Sequence, residues 1–557
     1  MPRGRGTVPG LFVIDRNRKE RITIMETQPL GLGVMLDCSR GAVMHGTALK
    51  RYIDLLAGMG YKTLMLYTED TYEVEGEPYF GYRRGKYTME ELRGIDAYAA
   101  ERGIELVPCI QTLAHLDGLM RWSCYRKFLD TDNILLVDDD RTYALIERMF
   151  DALGKAFTSR RVHIGMDEAW RVGLGKFLER HGFEKRTDIL LRHLARVTEI
   201  AARHGFRPMM WSDMFFTLAT GGSYRPDAEF SEDVIAKVPK DLDLVYWDYY
   251  HFDKDFYVGV LRVHQKFRNP TVFAGGLWTW RGFAPLSEQA LSATDAAMAA
   301  CRETGCRDVF FTLWGDDGGE CSYFAALPTL FYATRAVGGV PDPEDLRRSF
   351  RRVTGEDYDD LMLLGKIGNY GGDPKDWFFG TAKTWFYQDP LLGYYDRTVP
   401  EDAPAYYAAL ADKIDAAAER SASLGTLLRT EAAYARAIGL KCRLGVRARA
   451  AYLAGDKAAL LTLATEDFPA AAEAVDTFHR LYEIQWFSEN KPNGYERHDT
   501  RLGGLAARIR TCAARLAAFA RGEIGDIPEL AEEVLPAEGD DDHLPYEQYY
   551  NVITLPF

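Results

Sequence analysis

Eight short apolar runs recur between residues 31 and 340, and each is followed by a stretch in which apolar side chains repeat at helical spacing. Runs of this length are typical of buried strands, and regular alternation of strands with helices indicates a parallel sheet. The predicted strands cover 31–37, 62–67, 104–110, 161–166, 207–212, 242–247, 271–277 and 308–314. The predicted helices cover 46–59, 88–102, 140–157, 186–204, 231–238, 253–267, 287–304 and 324–337.

Eight strand–helix units in succession predict an α/β fold, a (β/α)8 TIM barrel. A doubly wound sheet is the alternative, but its first strand usually ends in a glycine-rich turn, whereas the first run here ends Asp37-Cys38-Ser39-Arg40. Beyond the barrel, residues 401–525 are rich in Ala, Leu, Arg and Glu with helical periodicity, which predicts an α-helical C-terminal domain. We therefore divide the chain into an N-terminal extension (1–30), a (β/α)8 barrel (31–340) and a helical domain (341–557).

Polar and aromatic residues gather at the C-terminal ends of the predicted strands. In barrels of this kind those ends form the face that carries the active site. The residues concerned are Arg40, Asp70, His115, Asp167, Glu168, Trp211, Asp213, Trp247, Tyr249, Tyr250, Trp278, Trp280, Trp314, Asp316 and Glu320. A carboxylate or an indole at nearly every strand end predicts a pocket.

Two adjacent carboxylates, Asp167 and Glu168, follow the fourth predicted strand. Such a pair could simply cap a following helix. It could also cleave an acetal, which needs a proton on the leaving oxygen and stabilisation of positive charge at the anomeric carbon. Neighbouring residues cannot easily flank one glycosidic bond as two separate carboxylates do. Adjacency suits a mechanism in which the substrate's own 2-acetamido oxygen attacks, one carboxylate holds that amide, and the other is the acid.

The stretch His163-x-Gly165-x-Asp167-Glu168 resembles the signature of glycoside hydrolase family 20, the β-N-acetylhexosaminidases. Residues 104–115 are similar to the family's third strand, which ends in a histidine, and residues 314–320 are similar to its last-strand tryptophan and sugar-binding glutamate. In detail the chain resembles compact members that carry a helical C-terminal domain. The resemblance implies a retaining exo-β-N-acetylhexosaminidase that removes terminal β-linked GlcNAc or GalNAc by substrate-assisted (oxazolinium) catalysis.

The same resemblance implies roles for individual residues. Glu168 would be the acid/base, Asp167 would orient the acetamide, and Tyr249 or Tyr250 would replace the family's amide-binding tyrosine, which is not found near the seventh strand. The indoles that enclose the acetamido methyl would be Trp211, Trp247 or Trp278, and Trp314. Leu32 stands where the family commonly has a sugar-binding arginine. We therefore expect the sugar hydroxyls to bind Arg40, Asp70, His115, Asp316 or Glu320, with Glu320 the first choice.

The composition of the chain restricts the classes of partner that we expect the protein to bind. The 557 residues carry a formal net charge of −14, which argues against nucleic acid and anionic membranes and leaves a glycan or glycoconjugate as the expected partner. No apolar stretch is long enough for a membrane span, and the first residues lack the apolar segment of a secretory signal. We expect a soluble cytoplasmic enzyme without a cofactor or metal. The Ala-rich helical domain could support a homodimer.

Three other functions fit parts of the sequence. The metal site of a barrel hydrolase could be formed by His115, His163, Asp167, Asp70 and Asp213. However, the sequence has no His-x-His motif, and the many indoles at the strand ends favour a sugar as the ligand. A non-catalytic sugar-binding barrel would keep the tryptophans but has no reason to keep Asp167 beside Glu168. An O-GlcNAc hydrolase-like glycosidase also uses the acetamido group, so only substrate profiling separates it.

Overall fold

A computed structural model describes residues 31–370, 380–536, 544, 552 and 553 of the chain. Its centre is a closed barrel in which each strand pairs in parallel with its sequence neighbours and the last strand pairs with the first. The barrel strands are β1 (Gly31–Asp37), β2 (Thr63–Tyr67), β3 (Glu105–Cys109), β4 (Arg161–His163), β5 (Arg207–Trp211), β6 (Asp243–Trp247), β7 (Thr271–Gly276) and β8 (Asp308–Leu313). The predicted TIM barrel is confirmed.

The predicted barrel helices are also present. Each has an apolar face that packs on the barrel, and most begin or end at a residue that caps the helix. The second helix, for example, begins with a capping box between Thr88 and Glu91, and the first ends at Gly60 in the left-handed region. These helices are α1 (Gly46–Met59), α2 (Met89–Glu101), α3 (Asp140–Ala156), α4 (Arg186–Arg203), α5 (Glu232–Lys237), α6 (Lys254–Gln265), α7 (Ser287–Thr304) and α8 (Leu327–Ala336). Short helices in the loops cover Asp117–Met120, Arg126–Phe128, Lys176–His181, Asp213–Thr220, Asp316–Gly319 and Tyr323–Ala326.

Two features of the barrel were not predicted. A short hairpin pairs Leu129–Thr131 with Ile134–Leu135 across an Asp-Asn turn. The fourth strand was predicted to reach residue 166 but stops at His163, because Gly165 and Met166 have φ angles of 70° and 73° that extended backbone cannot adopt. The chain thus turns sharply just before Asp167 and Glu168.

The barrel interior is filled by side chains that point inward from alternating strand positions. They form one buried cluster of Met35, Met65, Tyr67, Val107, Cys109, Met209, Trp211, Val245, Val272, Ala274 and Phe310. Trp247 and Trp314 pack on this cluster and are themselves only partly buried. The packed core therefore continues upward into aromatic side chains at the C-terminal face.

Beyond α8 the described chain is helical, as predicted. The longer helices are α9 (Pro343–Thr354), α10 (Tyr358–Met362), α11 (Thr381–Tyr387), α12 (Ala403–Arg420), α13 (Gly425–Lys441), α14 (Leu444–Leu453), α15 (Lys457–Thr462), α16 (Phe468–Glu489) and α17 (Tyr495–Ala520). Shorter helical segments cover Gly365–Gly368, Asp396–Thr398, Leu463–Asp467 and Pro528–Ala531. Helices α12, α13, α16 and α17 pack on one another in succession. In the described ranges, no helix has the length and apolar character needed to cross a membrane.

Candidate active site

A pocket opens at the C-terminal face of the barrel, where the sequence predicted one. Most of the predicted site residues line it, together with Trp280, an indole that the sequence placed at a strand end without assigning it a role. The lining residues are Arg40, His115, Asp167, Glu168, Trp211, Trp247, Tyr249, Tyr250, Trp280, Trp314 and Asp316. They come from the ends of seven different strands, so only closure of the barrel brings them together.

Asp167 and Glu168 lie on one wall and share a histidine. His115 Nε2 lies 3.1 Å from an Asp167 carboxylate oxygen and 3.4 Å from a Glu168 carboxylate oxygen. The second Asp167 oxygen accepts a hydrogen bond of 2.7 Å from the Gln111 side-chain amide. Glu168 is the more open of the two, with 37% of its side chain exposed against 13% for Asp167. The next helix begins only at Lys176, so the pair does not cap it.

The surroundings push the two carboxyl pKa values in opposite directions. Burial and the negative charge of Asp167 raise the pKa of Glu168 above its ordinary value. Burial alone would also raise the pKa of Asp167, but the positive charge of His115 and the hydrogen bonds from His115 and Gln111 outweigh it and lower that pKa. One carboxyl can therefore hold a proton while its neighbour holds a negative charge, which is the division of roles that glycosidic cleavage needs.

His115 is positively charged because of this pair. Burial opposes the charge, but the Asp167 carboxylate more than offsets it and raises the pKa of His115 to about 9. His163, the first residue of the motif, has a pKa shifted in the opposite direction. Burial lowers the pKa of His163 to about 3, its Nδ1 accepts the Gly165 amide, and its ring lies 4.3 Å from that of Trp211. His163 therefore supports the loop from beneath as a neutral ring.

The loop after β4 has a strained backbone at two non-glycine residues, and Gly165 beside them provides space that a larger residue would not. Met166 and Glu168 have φ angles of 73° and 51°, which side chains rarely adopt outside sites that require them. A Cβ on Gly165 would lie 2.0 Å from Gln111 Oε1, the same atom that accepts the Met166 amide. Gly165 thus leaves room for Gln111 to reach Asp167. From β5, Asp213 accepts the Glu168 amide at 3.0 Å.

Aromatic rings form the remaining walls. The ring centroids of Trp211 and Trp314 lie 6.1 Å apart, and those of Trp247 and Tyr249 lie 5.4 Å apart. The Trp314 indole N–H donates to the Tyr249 hydroxyl at 3.0 Å, so the ends of β6 and β8 are tied together. Tyr249 is buried, whereas Tyr250 is 37% exposed. Walls of this kind bind the apolar face of a sugar or its acetamido methyl.

The guanidinium of Arg40, which lies in the loop after β1, places a positive charge in the pocket. It pairs with Asp37 at 3.2 Å, lies 3.8 Å from Glu69, and stacks over the rings of Tyr67 and Trp314. Leu32 lies buried within β1 itself. The arginine thus reaches the pocket from a position eight residues later than that of Leu32.

Three residues that the family resemblance assigned to binding the sugar or its acetamide do not line the pocket. Asp70 is buried in an ion pair with Arg84. Trp278 is also buried. Its indole N–H donates to the Tyr249 carbonyl at 3.1 Å, and its ring stacks on that of Trp280. Glu320 is buried between Lys383 and Arg501, away from the cavity. The sequence placed all three correctly at strand ends, but it contains no signal for which way such side chains point. Gln111 was missed because an amide has no characteristic spacing.

The five residues of the alternative metal site do not act together in the structure. Asp70 pairs with Arg84, while burial and the negative charge of Asp167 raise the pKa of Asp213 to about 8. Over the described part of the chain, no three His, Cys, Asp or Glu side chains are arranged to hold a metal ion.

A barrel pocket in which neighbouring carboxyls have pKa values shifted in opposite directions is typical of a glycoside hydrolase. Comparison with known families agrees. Residues 32–248 match the catalytic domain of glycosyl hydrolase family 20, and residues 359–547 match the glycoside hydrolase 20C C-terminal domain. The chain therefore belongs to glycoside hydrolase family 20, as its motif predicted.

Curated relatives include hexosaminidase D from Bos taurus, which is 24% identical over 255 residues, and hexosaminidase D from Homo sapiens, which is 24% identical over 240 residues. The matched segments cover 44% and 41% of this chain, and 69% of the bovine and 46% of the human protein. Among solved structures, a Flavobacterium johnsoniae chitobiase is 16% identical, with 79% of this chain and 75% of that chain covered and a TM-score of 0.45.

Proposed function

We propose that this enzyme is a retaining exo-β-N-acetylhexosaminidase that acts by substrate-assisted catalysis. The observation that carries the proposal is the opposite shift of the Asp167 and Glu168 pKa values on one strand end. Because the two carboxyls are adjacent at one strand end and project from the same wall, they cannot flank a glycosidic bond as nucleophile and acid. A nucleophile within the substrate, the 2-acetamido oxygen, removes that requirement.

In the proposed reaction Glu168 protonates the leaving oxygen while the acetamido oxygen attacks the anomeric carbon. The carboxylate of Asp167 holds the acetamide N–H and stabilises the positive charge that develops on the resulting oxazolinium ring. Glu168, now ionised, then removes a proton from water as the water opens that ring. Two inversions at one carbon give net retention.

The aromatic walls support the same reaction by fixing the acetamide. Trp211, Trp247 and Trp314 would enclose its methyl group, and Trp280 extends that wall. Tyr249 is the better candidate for the acetamide carbonyl, since it is buried and held by Trp314, whereas Tyr250 is half exposed. An acetamide confined in this way stays close to its attack geometry.

For the sugar hydroxyls we propose Arg40 and Asp316, which both line the pocket. Arg40 supplies a cationic donor in place of the arginine expected at the first strand. Asp316 supplies a carboxylate acceptor, which can bind two hydroxyls at once. The barrel core closes the pocket from below, and a pocket closed at one end suits the terminal ring of a glycan, which supports the proposal of exo action.

The test is hydrolysis of a panel of chromogenic β-glycosides that differ only at C2 and C4. We expect turnover of β-N-acetylglucosaminide or β-N-acetylgalactosaminide and none of the β-glucoside, since the glucoside lacks the nucleophile. NMR of the first-formed sugar should show the β anomer. An O-GlcNAc-modified peptide in the same panel separates the related O-GlcNAc hydrolase activity. Equal rates on the plain glucoside would disprove the assisted mechanism.

A further inference from the structure

The loop that follows β8 makes extensive polar contacts with the C-terminal domain. Trp314 and Asp316 of this loop line the pocket, and Asp317 and Glu320 lie on its far side. Three successive residues, Asp317, Gly318 and Gly319, have φ angles of 57°, 122° and 67°. The Gly318 and Gly319 amides both donate to the Gly315 carbonyl, at 3.2 and 2.7 Å, and close the turn. Asp317 is the non-glycine residue of the three, and a left-handed φ at such a residue persists only where surrounding contacts maintain it.

Arg501 of α17 supplies the largest share of those contacts. One guanidinium nitrogen donates to the Asp317 carbonyl at 2.5 Å and to a Glu320 carboxylate oxygen at 3.1 Å, and the other donates to the Asp317 carboxylate at 2.7 Å. The planar fork of arginine can make these three bonds at once, whereas a lysine ammonium in its place could not reach all three acceptors in the same geometry.

Other side chains of the same domain complete the arrangement. Lys383 of α11 lies 2.7 Å from Asp317 and 3.3 Å from Glu320, and the Tyr387 hydroxyl donates to Glu320 at 3.0 Å. His498 Nε2 lies 3.0 Å from the Gly318 carbonyl oxygen. The four charged side chains are all at most 9% exposed, so these contacts form in a medium where an unpaired charge is costly.

We infer that Arg501 is a positioning residue of the active site, which acts from the C-terminal domain through the Asp317–Glu320 segment to set the position of Asp316. The inference rests on the proposed hexosaminidase function, in which Asp316 binds sugar hydroxyls. It assigns the C-terminal domain a role in substrate recognition, and it gives Glu320 a place in the support of the loop rather than at the sugar.

The test is a double-mutant cycle between Arg501→Lys and Asp316→Asn. Arg501→Lys keeps the buried positive charge but loses the fork. It should raise KM for the N-acetylhexosaminide about tenfold with a smaller change in kcat. In the Asp316→Asn background the same change should have little further effect. Full additivity of the two effects would overturn the inference.

The matched control is Arg508→Lys on the same helix. Arg508 pairs with Asp389 inside the C-terminal domain and has no contact with the β8 loop among the described residues. This variant should keep the wild-type KM. Should Arg501→Lys fail to fold by circular dichroism, Tyr387→Phe removes one hydrogen bond to Glu320 and should raise KM two- to threefold. An unchanged KM in that variant would then count against the inference.

A second readout does not depend on catalysis. Amide hydrogen exchange in the peptide spanning residues 314–322 should be faster in Arg501→Lys than in the wild type, and unchanged in Arg508→Lys. If the wild type cleaved none of the glycosides, the proposed function would fail, and the exchange result would still decide whether Arg501 holds the loop. Unchanged exchange would overturn the inference in either case.

Discussion

The loops after β4 and β8 carry carboxylates to the same pocket but are held in different ways. The β4 loop is fixed from within the barrel, by Gln111, His115 and Asp213. The β8 loop is tied to the barrel where the Gly315 amide donates to Asp37, but its Asp317–Glu320 part is fixed by side chains of the C-terminal domain. The first loop presents the groups proposed for the chemistry, and the second presents a group proposed for recognition. Under the proposed roles, the barrel positions the reacting groups and the C-terminal domain contributes to how the sugar is held.

The largest effect is expected at Asp167. Asp167→Asn removes the charge proposed to stabilise the oxazolinium ring, so kcat should fall about 10³-fold on every N-acetylhexosaminide, whatever its leaving group. The counterpart on the other loop, Asp316→Asn, should lower kcat/KM only about tenfold, mainly through KM. Equal losses in the two variants, both in kcat or both in KM, would show that the two loops do not have different roles.

The loss of activity in Glu168→Gln should depend on the leaving group of the substrate. The substitution removes the proposed proton donor, so turnover of substrates with poor leaving groups should fall about 10²-fold or more. Substrates whose leaving group needs no protonation should be much less affected in the bond-cleaving step. The measurement is a series of aryl N-acetylhexosaminides of graded leaving-group pKa. An equal loss across the series would remove Glu168 from the role of acid.

Gly165→Ala should act on the β4 loop through Gln111. The new Cβ would displace the Gln111 side chain, and Asp167 would lose a hydrogen bond, so we expect about a tenfold fall in kcat with a loss of stability of about 1–2 kcal/mol from the positive φ. Gly205→Ala is the control, because Gly205 has a φ of 75° but open space around it. It should share the loss in stability and keep full activity.

The smallest effect at the pH optimum is expected for His115→Gln. The proposed mechanism requires Glu168 protonated and Asp167 ionised, so activity should fall as pH rises through the raised pKa of Glu168 and as pH falls through the lowered pKa of Asp167. The positive charge of His115 lowers both pKa values. Its removal should therefore move both limbs of the kcat/KM profile to higher pH.

Arg501→Lys provides the contrast for this experiment. Arg501 acts through the β8 loop and does not touch the carboxyl pair, so its variant should keep both limbs of the pH profile in place. If the kcat/KM pH profile of Arg501→Lys shifted to higher pH as that of His115→Gln is expected to, the two loops would not be separate in function.

The sequence alone was enough to predict the barrel and its strand ends. Strand and helix periodicity arise from local spacing, and closure of eight such units brings all C-terminal strand ends to one face. That is why Asp167, Glu168, Trp211 and Trp314 could be assigned to one pocket without a structure. The helical nature of the C-terminal domain was predictable for the same local reason. The cytoplasmic location and the homodimer stay predictions.

Only the tertiary structure decided which strand-end residues face the pocket. Glu320 and Asp316 are four residues apart on one loop, yet one is buried against Arg501 and the other lines the cavity. The difference arises from three left-handed backbone positions and from side chains more than 60 residues away along the chain. Side-chain direction in such a loop depends on contacts distant in sequence, so no local pattern encodes it.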